Sequence, residues 1–298
     1  MPAPRGWSAV LREALIFGGS GQIGRPLLHR LRGEGWRITA LSRRTTPDEP
    51  GVQWLSGDLQ TPPALPARVD AILSCGPLDA FARWYAGSGI DSARVIAFGS
   101  TSLDTKRESS DRHEREVAER LHQGESTVFA TASARGAAAT LLRPTLVYGA
   151  GRDATLSRIA AIARRFGYFP LPRGACGLRQ PVHVEDLADA ALRAIDAPAS
   201  AGRAYALPGG EVLPYREMVG RVLSALQPPA RLLELPAPLL RLALQAARLG
   251  GRAPGFGSAA LRRMHQDLLF DAVPAVRDLD YAPRAFAPTA EMFVAPEA

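Results

Sequence analysis

Residues Ala14-Leu15-Ile16-Phe17-Gly18-Gly19-Ser20-Gly21-Gln22-Ile23-Gly24 decide the fold of this chain. A short apolar run stops at a cluster of glycines. A helical pattern then starts at once, through Ile23, Leu27, Leu28 and Leu31. A strand that turns tightly into a helix reads this way. Gly18, Gly21 and Gly24 are spaced G-x-x-G-x-x-G. The early glycines allow the tight turn and let backbone approach a pyrophosphate. Gly24 lets the helix pack close to the strand, and the helix N-terminus faces the phosphate charge. The stretch reads as a dinucleotide site, with Gly18, Ser20, Gly21, Gln22, Ile23 and Gly24 around the phosphates. A glycine-rich turn with no ligand is the plain alternative.

Working outward, strand-like and helix-like runs alternate. Strands are expected at Ala14–Phe17, Arg37–Leu41, Val52–Leu55, Ala71–Ser74, Val95–Phe98, Ala139–Leu142 and Ala204–Leu207. Helices are expected at Gln22–Gly33, Leu78–Ala86, Asp111–Ala134 and Val184–Ile195. Such alternation predicts an α/β fold, a Rossmann-type doubly wound parallel sheet with a smaller C-terminal substrate lobe. The expected division gives 12–148 plus 181–207 to the dinucleotide-binding domain. The smaller lobe takes 149–180 plus 208–298, with amphipathic helices at Pro236–Leu249 and Ser258–Leu269.

The second strand ends in Ser42-Arg43-Arg44. An acidic residue at this position binds a ribose 2′-hydroxyl, whereas arginine suits a 2′-phosphate. NADP is therefore the expected cofactor, with NAD left open and solvated loop arginines as the bland reading. After the third strand, Asp58 can accept from an adenine amino group beside Leu59, or it can simply shape a Gly-Asp turn.

The bulk numbers exclude several classes. No apolar run approaches the length of about 20 residues that a membrane span needs. The first residues lack the apolar core of a secretion signal, so a cytoplasmic location is expected. Cys75 and Cys176 form no disulfide framework, and five scattered histidines show no metal-ligand spacing, so no metal is expected. The net charge is +7, and all but one of the 36 basic residues are arginine. They are dispersed, without the interleaved aromatics of a nucleic-acid surface. The expected partner is a small-molecule substrate, with no nucleic acid and no membrane, and a monomer or homodimer.

Further motifs carry a family likeness. Phe98-Gly99-Ser100-Thr101-Ser102 closes the fifth strand, and Arg143-Pro144-Thr145-Leu146-Val147-Tyr148-Gly149 reads R-P-x-x-V-Y-G. Val182-His183-Val184-Glu185-Asp186-Leu187-Ala188 reads V-x-V-x-D-L-A, and Asp280-Tyr281-Ala282-Pro283-Arg284-Ala285-Phe286 is close to G-Y-x-P-R-x-F. With the glycine turn, these resemble the extended short-chain dehydrogenase/reductases of the NAD(P)-dependent epimerase/dehydratase type. Gly99 and Asp280 depart slightly from the common residues. The resemblance implies an NAD(P)-binding fold, hydride transfer at a carbonyl or hydroxyl carbon, and cofactor contacts at Pro144 and Leu146. It does not carry the usual catalytic pair. The family's Tyr-x-x-x-Lys is absent, and spacing back from Glu119 finds Asp111 and Arg115 in its place. The chain is similar to atypical members, some of them reductases and others dinucleotide binders without known turnover. A catalytically silent sensor or scaffold is thus the alternative to an oxidoreductase.

Three residues remain as catalytic candidates. Thr101 offers a hydroxyl to a substrate oxygen, or caps the strand end. Tyr148 is a phenol that donates a proton only if its pKa is lowered, and otherwise packs. Lys106 is the sole lysine of the chain and lies five residues beyond Thr101. An amine titrates in a range that a guanidinium does not reach. A surface loop lysine is the bland alternative. His183 and Asp186 read as structural at a helix start.

Overall fold

The computed structural model describes residues 11–43, 46–240, 242, 245 and 258–294. Six strands come first: β1 (Glu13–Phe17), β2 (Arg37–Ser42), β3 (Val52–Ser56), β4 (Arg68–Ser74), β5 (Asp91–Phe98) and β6 (Ala138–Pro144). Short strands follow at β7 (Val147–Tyr148), β8 (Tyr168–Pro172), β9 (Leu178–Arg179) and β10 (Val182–His183). Next are β11 (Arg203–Leu207), β12 (Leu213–Pro214) and β13 (Arg231–Leu235). The main helices are α1 (Gly24–Gly33), α2 (Leu78–Gly87), α3 (Ser102–Thr105), α4 (Arg112–Ala134), α5 (Leu156–Phe166), α6 (Val184–Ile195) and α7 (Tyr215–Ala225).

The seven strands expected from the sequence form one sheet, in the order β11-β6-β5-β4-β1-β2-β3. Every pairing in it is parallel, and Ile16 on β1 faces both Ala40 on β2 and Leu73 on β4. The chain runs outward from β1 to β3, then returns to the other side of β1 at β4. That reversal opens a crevice beyond the carboxyl ends of β1 and β4.

Helices cover both faces, which is why Ala14 to Phe17 are apolar without alternation. On one face Leu27, Leu28 and Leu31 of α1 pack with Leu187, Ala188 and Ala191 of α6. On the other, α2 and α4 bury Phe81, Trp84, Tyr85, Val128 and Ala132. Phe17 packs there tilted at 55° against Trp84, with ring centroids 4.2 Å apart. A separate core joins Tyr148, Ile159, Phe169, Met218, Val222 and Phe286 beside the sheet.

The later elements differ from expectation in two places. The helix at Ser258 ends at Arg263 rather than continuing to Leu269. Its chain leaves to pair with β9, where Leu178 N–H donates to Asp267 Oδ1 (2.8 Å) and Leu268 N–H to the Leu178 carbonyl (3.0 Å). The helix Val273–Leu279, assigned by sequence to the smaller lobe, buries Ala275 and Leu279 in the core of the sheet. Tyr205 of β11 fixes it by donating to Asp278 Oδ2 (2.8 Å). Half of the expected Pro236–Leu249 helix lies outside the described residues, and 237–240 are helical.

Candidate active site

The glycine turn occupies the crevice. Gly18 has φ +74°, and a Cβ there would sit 3.0 Å from the Cys75 carbonyl carbon. Gly21 N–H closes the turn on the Gly18 carbonyl (2.9 Å). A Cβ on Gly24 would lie 2.2 Å from the Gly18 oxygen, so helix α1 presses directly on the turn. Gly21 differs, because an added Cβ meets only the Gly18 oxygen, at 3.0 Å. Its other side is open, as a turn that receives a ligand requires. Gln22 Oε1 is buried and has no hydrogen-bond partner among the described residues. The glycine cradle, open over Gly21, fits a dinucleotide phosphate bridge, and the Gln22 acceptor suits a hydroxyl or amide N–H of the same ligand rather than its phosphates.

Ser42 is buried at the end of β2 and Arg43 beside it is exposed, while Arg44 lies outside the described residues. Asp58 is committed to its own turn. Its Oδ1 accepts from the N–H groups of Thr61 and Gln60 (both 2.8 Å) and from Thr61 Oγ1 (3.1 Å). The Thr61 N–H first, then Gln60 N–H, holds this carboxyl below the usual range. Leu59 packs against the core and approaches the Gly76 position, where a Cβ would be 3.9 Å from its Cδ1.

A cleft of about 620 Å³ opens beyond the ends of β5 and β6. Gln22, Thr101, Lys106, Leu146, Arg152 and Arg179 line it together. The structure thus joins the glycine turn to two of the three catalytic candidates. Thr101 donates its hydroxyl to the Pro144 carbonyl (3.1 Å), which leaves its oxygen able to accept. Ser100 Oγ accepts from Ser102 N–H (3.1 Å) and keeps its own hydrogen to donate. Lys106 is half-buried. Burial, and then the Arg263 charge, push its amine below the ordinary lysine value, against the opposite pull of Glu114.

Tyr148 lies elsewhere. It is 1% exposed, with ring centroids 5.0 Å from His183 and 4.9 Å from Phe286. Burial pushes its phenol up to about 12. It does not line the cleft and serves the neighbouring core, because a phenol sealed among rings lacks the lowered pKa that proton transfer requires. His183 Nδ1 accepts from Glu185 N–H (3.2 Å) and so caps α6.

Helix α4 places Asp111 and Arg115, the positions reached by counting back from Glu119, at its exposed first turn. Asp111 caps it by accepting from His113 N–H (2.9 Å), and Arg115 Nη1 donates to the Ser109 carbonyl (2.6 Å). The buried glutamate of this helix is Glu125, not the exposed Glu119. Its Oε1 accepts from Arg143 Nε (2.7 Å) of the R-P-x-x-V-Y-G segment, and its Oε2 from Nη2. The same spacing counted from Glu125 reaches Val117 and Leu121, so neither register supplies Tyr-x-x-x-Lys. Gly99 fits above this pair, where a Cβ would come within 3.1 Å of Glu125 Oε1.

The cationic wall of the cleft was not legible from spacing. Arg152, Arg158, Arg179 and Arg263 converge there from distant segments. Arg152 Nη1 donates to the Ser20 carbonyl of the glycine turn (2.8 Å). Arg179 is 5% exposed, lies over the Tyr215 ring, and spends its guanidinium on the carbonyls of Leu178, Gln266 and Arg263. Arg263 pairs with Glu114. Among the described residues the one carboxylate on this wall, Asp153, is taken up by the first turn of α5, accepting from Thr155 N–H (3.0 Å) and Leu156 N–H (2.5 Å).

A doubly wound parallel sheet with a glycine turn at its switch point, and a cleft beside it, defines a protein of the dinucleotide fold. The chain belongs to the NAD dependent epimerase/dehydratase family, whose model matches residues 14–96 and 104–207. It is similar to a 2-alkyl-3-oxoalkanoate reductase of Stenotrophomonas maltophilia (strain K279a), at 28% identity over 253 residues, covering 73% of this chain and 76% of that protein. Its fold is similar to that of Epimerase Mth375 from Methanothermobacter thermautotrophicus (TM-score 0.69, 15% identity, 95% of this chain and 90% of that one). It is also similar to MoeE5, solved in complex with UDP-glucuronic acid and NAD (TM-score 0.65, 18% identity, 92% and 94%). Among the described residues no helix is long and apolar enough to cross a membrane.

Proposed function

We propose that this chain is an NADP(H)-dependent oxidoreductase acting at the carbonyl or hydroxyl carbon of a small anionic molecule. In this reading 12–148 and 181–207 hold the dinucleotide, and 149–180 with much of 208–298 encloses the substrate. The observation that carries it is the continuity of one cleft from Gln22 of the glycine turn, past the Ser100 and Thr101 hydroxyls, to the arginine wall. The bound cofactor supplies the hydride. Ser100 and Thr101 orient the substrate oxygen, and the wall draws an acidic group inward. A 2-alkyl-3-oxo acid has both features, a ketone and a carboxylate, and is the substrate class of the reductase relative. Arg43 favours the 2′-phosphate of NADPH through a charge-assisted contact of about 1.5–3 kcal/mol.

The test follows nicotinamide absorbance with 2-methyl-3-oxo acids and the matching methyl esters. Turnover of the acids with NADPH, weak turnover of the esters, and loss of NADPH preference in Arg43→Ala support the reading. Tight NADPH binding without turnover of any acid supports the catalytically silent alternative instead.

A further inference from the structure

We propose that Lys106 is the catalytic residue that gives a proton to the substrate oxygen on reduction and takes it back on oxidation. The proposal rests on the oxidoreductase reading and names a group that the missing Tyr-x-x-x-Lys leaves unassigned. Three observations converge on it.

The first is position. Helix α3 starts where β5 ends, and its first turn is short: Thr105 N–H donates to the Thr101 carbonyl (3.3 Å) and Lys106 N–H to the Ser102 carbonyl (3.1 Å). Lys106 therefore stands one helical turn beyond the hydroxyls that line the same cleft.

The second is its lack of a partner. Glu114, the acid that α4 directs toward it, is held by Arg263 and by Ser109 Oγ (2.6 Å). No ion pair involves Lys106 among the described residues. The other charges on the cleft are Arg152, Arg158 and Arg179, and Asp153 is committed to α5. Burial and the facing Arg263 make the ammonium a stronger acid than an ordinary lysine.

The third is elimination by chemistry. Guanidinium groups do not release a proton in the working range. Tyr215 also lines the cleft, but burial pushes its phenol up to about 12. Tyr148 and His183 do not line it. Lys106 remains as the titratable group placed to act.

The step balances. The carbonyl carbon accepts the hydride of the reduced nicotinamide, and the electron pair of the C=O π bond moves to oxygen. That oxygen takes a proton from the Lys106 ammonium. The products are the alcohol, the oxidised cofactor and a neutral amine, which regains its proton from water.

Because Lys106 is the only lysine, reductive methylation with ¹³C-formaldehyde labels it and the N-terminal amine alone. The Lys106 resonance should titrate below the ordinary lysine value of about 10.4 and shift when NADPH is added. Lys106→Arg and Lys106→Met should lower kcat on a 2-methyl-3-oxo acid by at least about a hundredfold. KM should stay within about threefold and NADPH affinity should be unchanged. An ordinary titration indifferent to NADPH, a Lys106→Arg variant with parental kcat, or a rise in KM alone would overturn the proposal. A parental protein that turns over no acid refutes the oxidoreductase reading itself.

Discussion

Gly24 and Gly33 stand at the two ends of α1, and the same substitution at each should have opposite effects. Alanine is favoured over glycine in a helix by up to about 1 kcal/mol. At Gly33 nothing lies within 4 Å of an added Cβ. Gly33→Ala should realise much of that gain, about 0.5–1 kcal/mol. At Gly24 the methyl would meet the Gly18 oxygen at 2.2 Å, Gly19 Cα at 2.7 Å and the Gly19 carbonyl carbon at 2.8 Å. All three are backbone atoms, and Gly18 cannot retreat because Cys75 is behind it. Forced overpacking costs about 1–3 kcal/mol, and a rigid neighbour puts this site at the upper end. After the helical gain is subtracted, Gly24→Ala should lose about 2 kcal/mol. With about 2.1 cal/mol/K of unfolding entropy per residue over 298 residues, that lowers Tm by about 3 °C. Thermal denaturation of the two variants beside the parent reads both signs. A Gly24→Ala protein as stable as the parent, or an equal loss at Gly33, would refute the packing of α1 on the turn.

Asp280 adopts left-handed backbone (φ +48°) after the helix Val273–Leu279, where the family resemblance expects glycine. Asp280→Gly should raise stability by about 0.5 kcal/mol in chemical denaturation, since Arg193 donates to its backbone carbonyl, which glycine retains, and the Arg193–Asp280 ion pair that it gives up is exposed. His183 is buried, which lowers its pKa in the folded state, with Arg284 acting in the same direction. The unfolded chain then binds the extra proton as pH falls through about 6.5, so the parent should lose stability from there down to the folded-state pKa. His183→Asn keeps a capping side chain and should flatten that acid limb, while parallel curves for the two proteins would contradict it. Arg152→Ala should weaken NADPH binding about tenfold in a fluorescence titration, because Arg152 already reaches the glycine turn at Ser20.

The sheet was legible because its strands are buried on both faces and read as apolar runs with glycine or polar stops. The glycine turn was legible because its spacing is local. What escaped the sequence was assembled at a distance. Arg152, Arg179 and Arg263 reach one cleft from separate segments, and no local pattern marks their meeting. Glu125 was hidden by Glu119, since only burial against Arg143 distinguishes them. Helix α7 carries a regular apolar pattern at Tyr215, Met218, Val219, Val222 and Leu223, yet its proline-rich surroundings mask it. The truncated helix at Ser258 shows the reverse, a helical pattern overridden when the chain pairs with Leu178.

The most direct measurement titrates NADPH against the parent and Gly21→Val, with thermal stability recorded for both. The glycine turn has protein on only one side of Gly21, so the variant should fold, with a Tm lowered by the 3.0 Å approach of its Cβ to the Gly18 oxygen. Its side chain would fill the space where the pyrophosphate approaches. The parent should show saturable binding and ligand-induced stabilisation, and Gly21→Val should lose both. Equal binding and equal stabilisation in the two proteins would contradict a phosphate site at this turn.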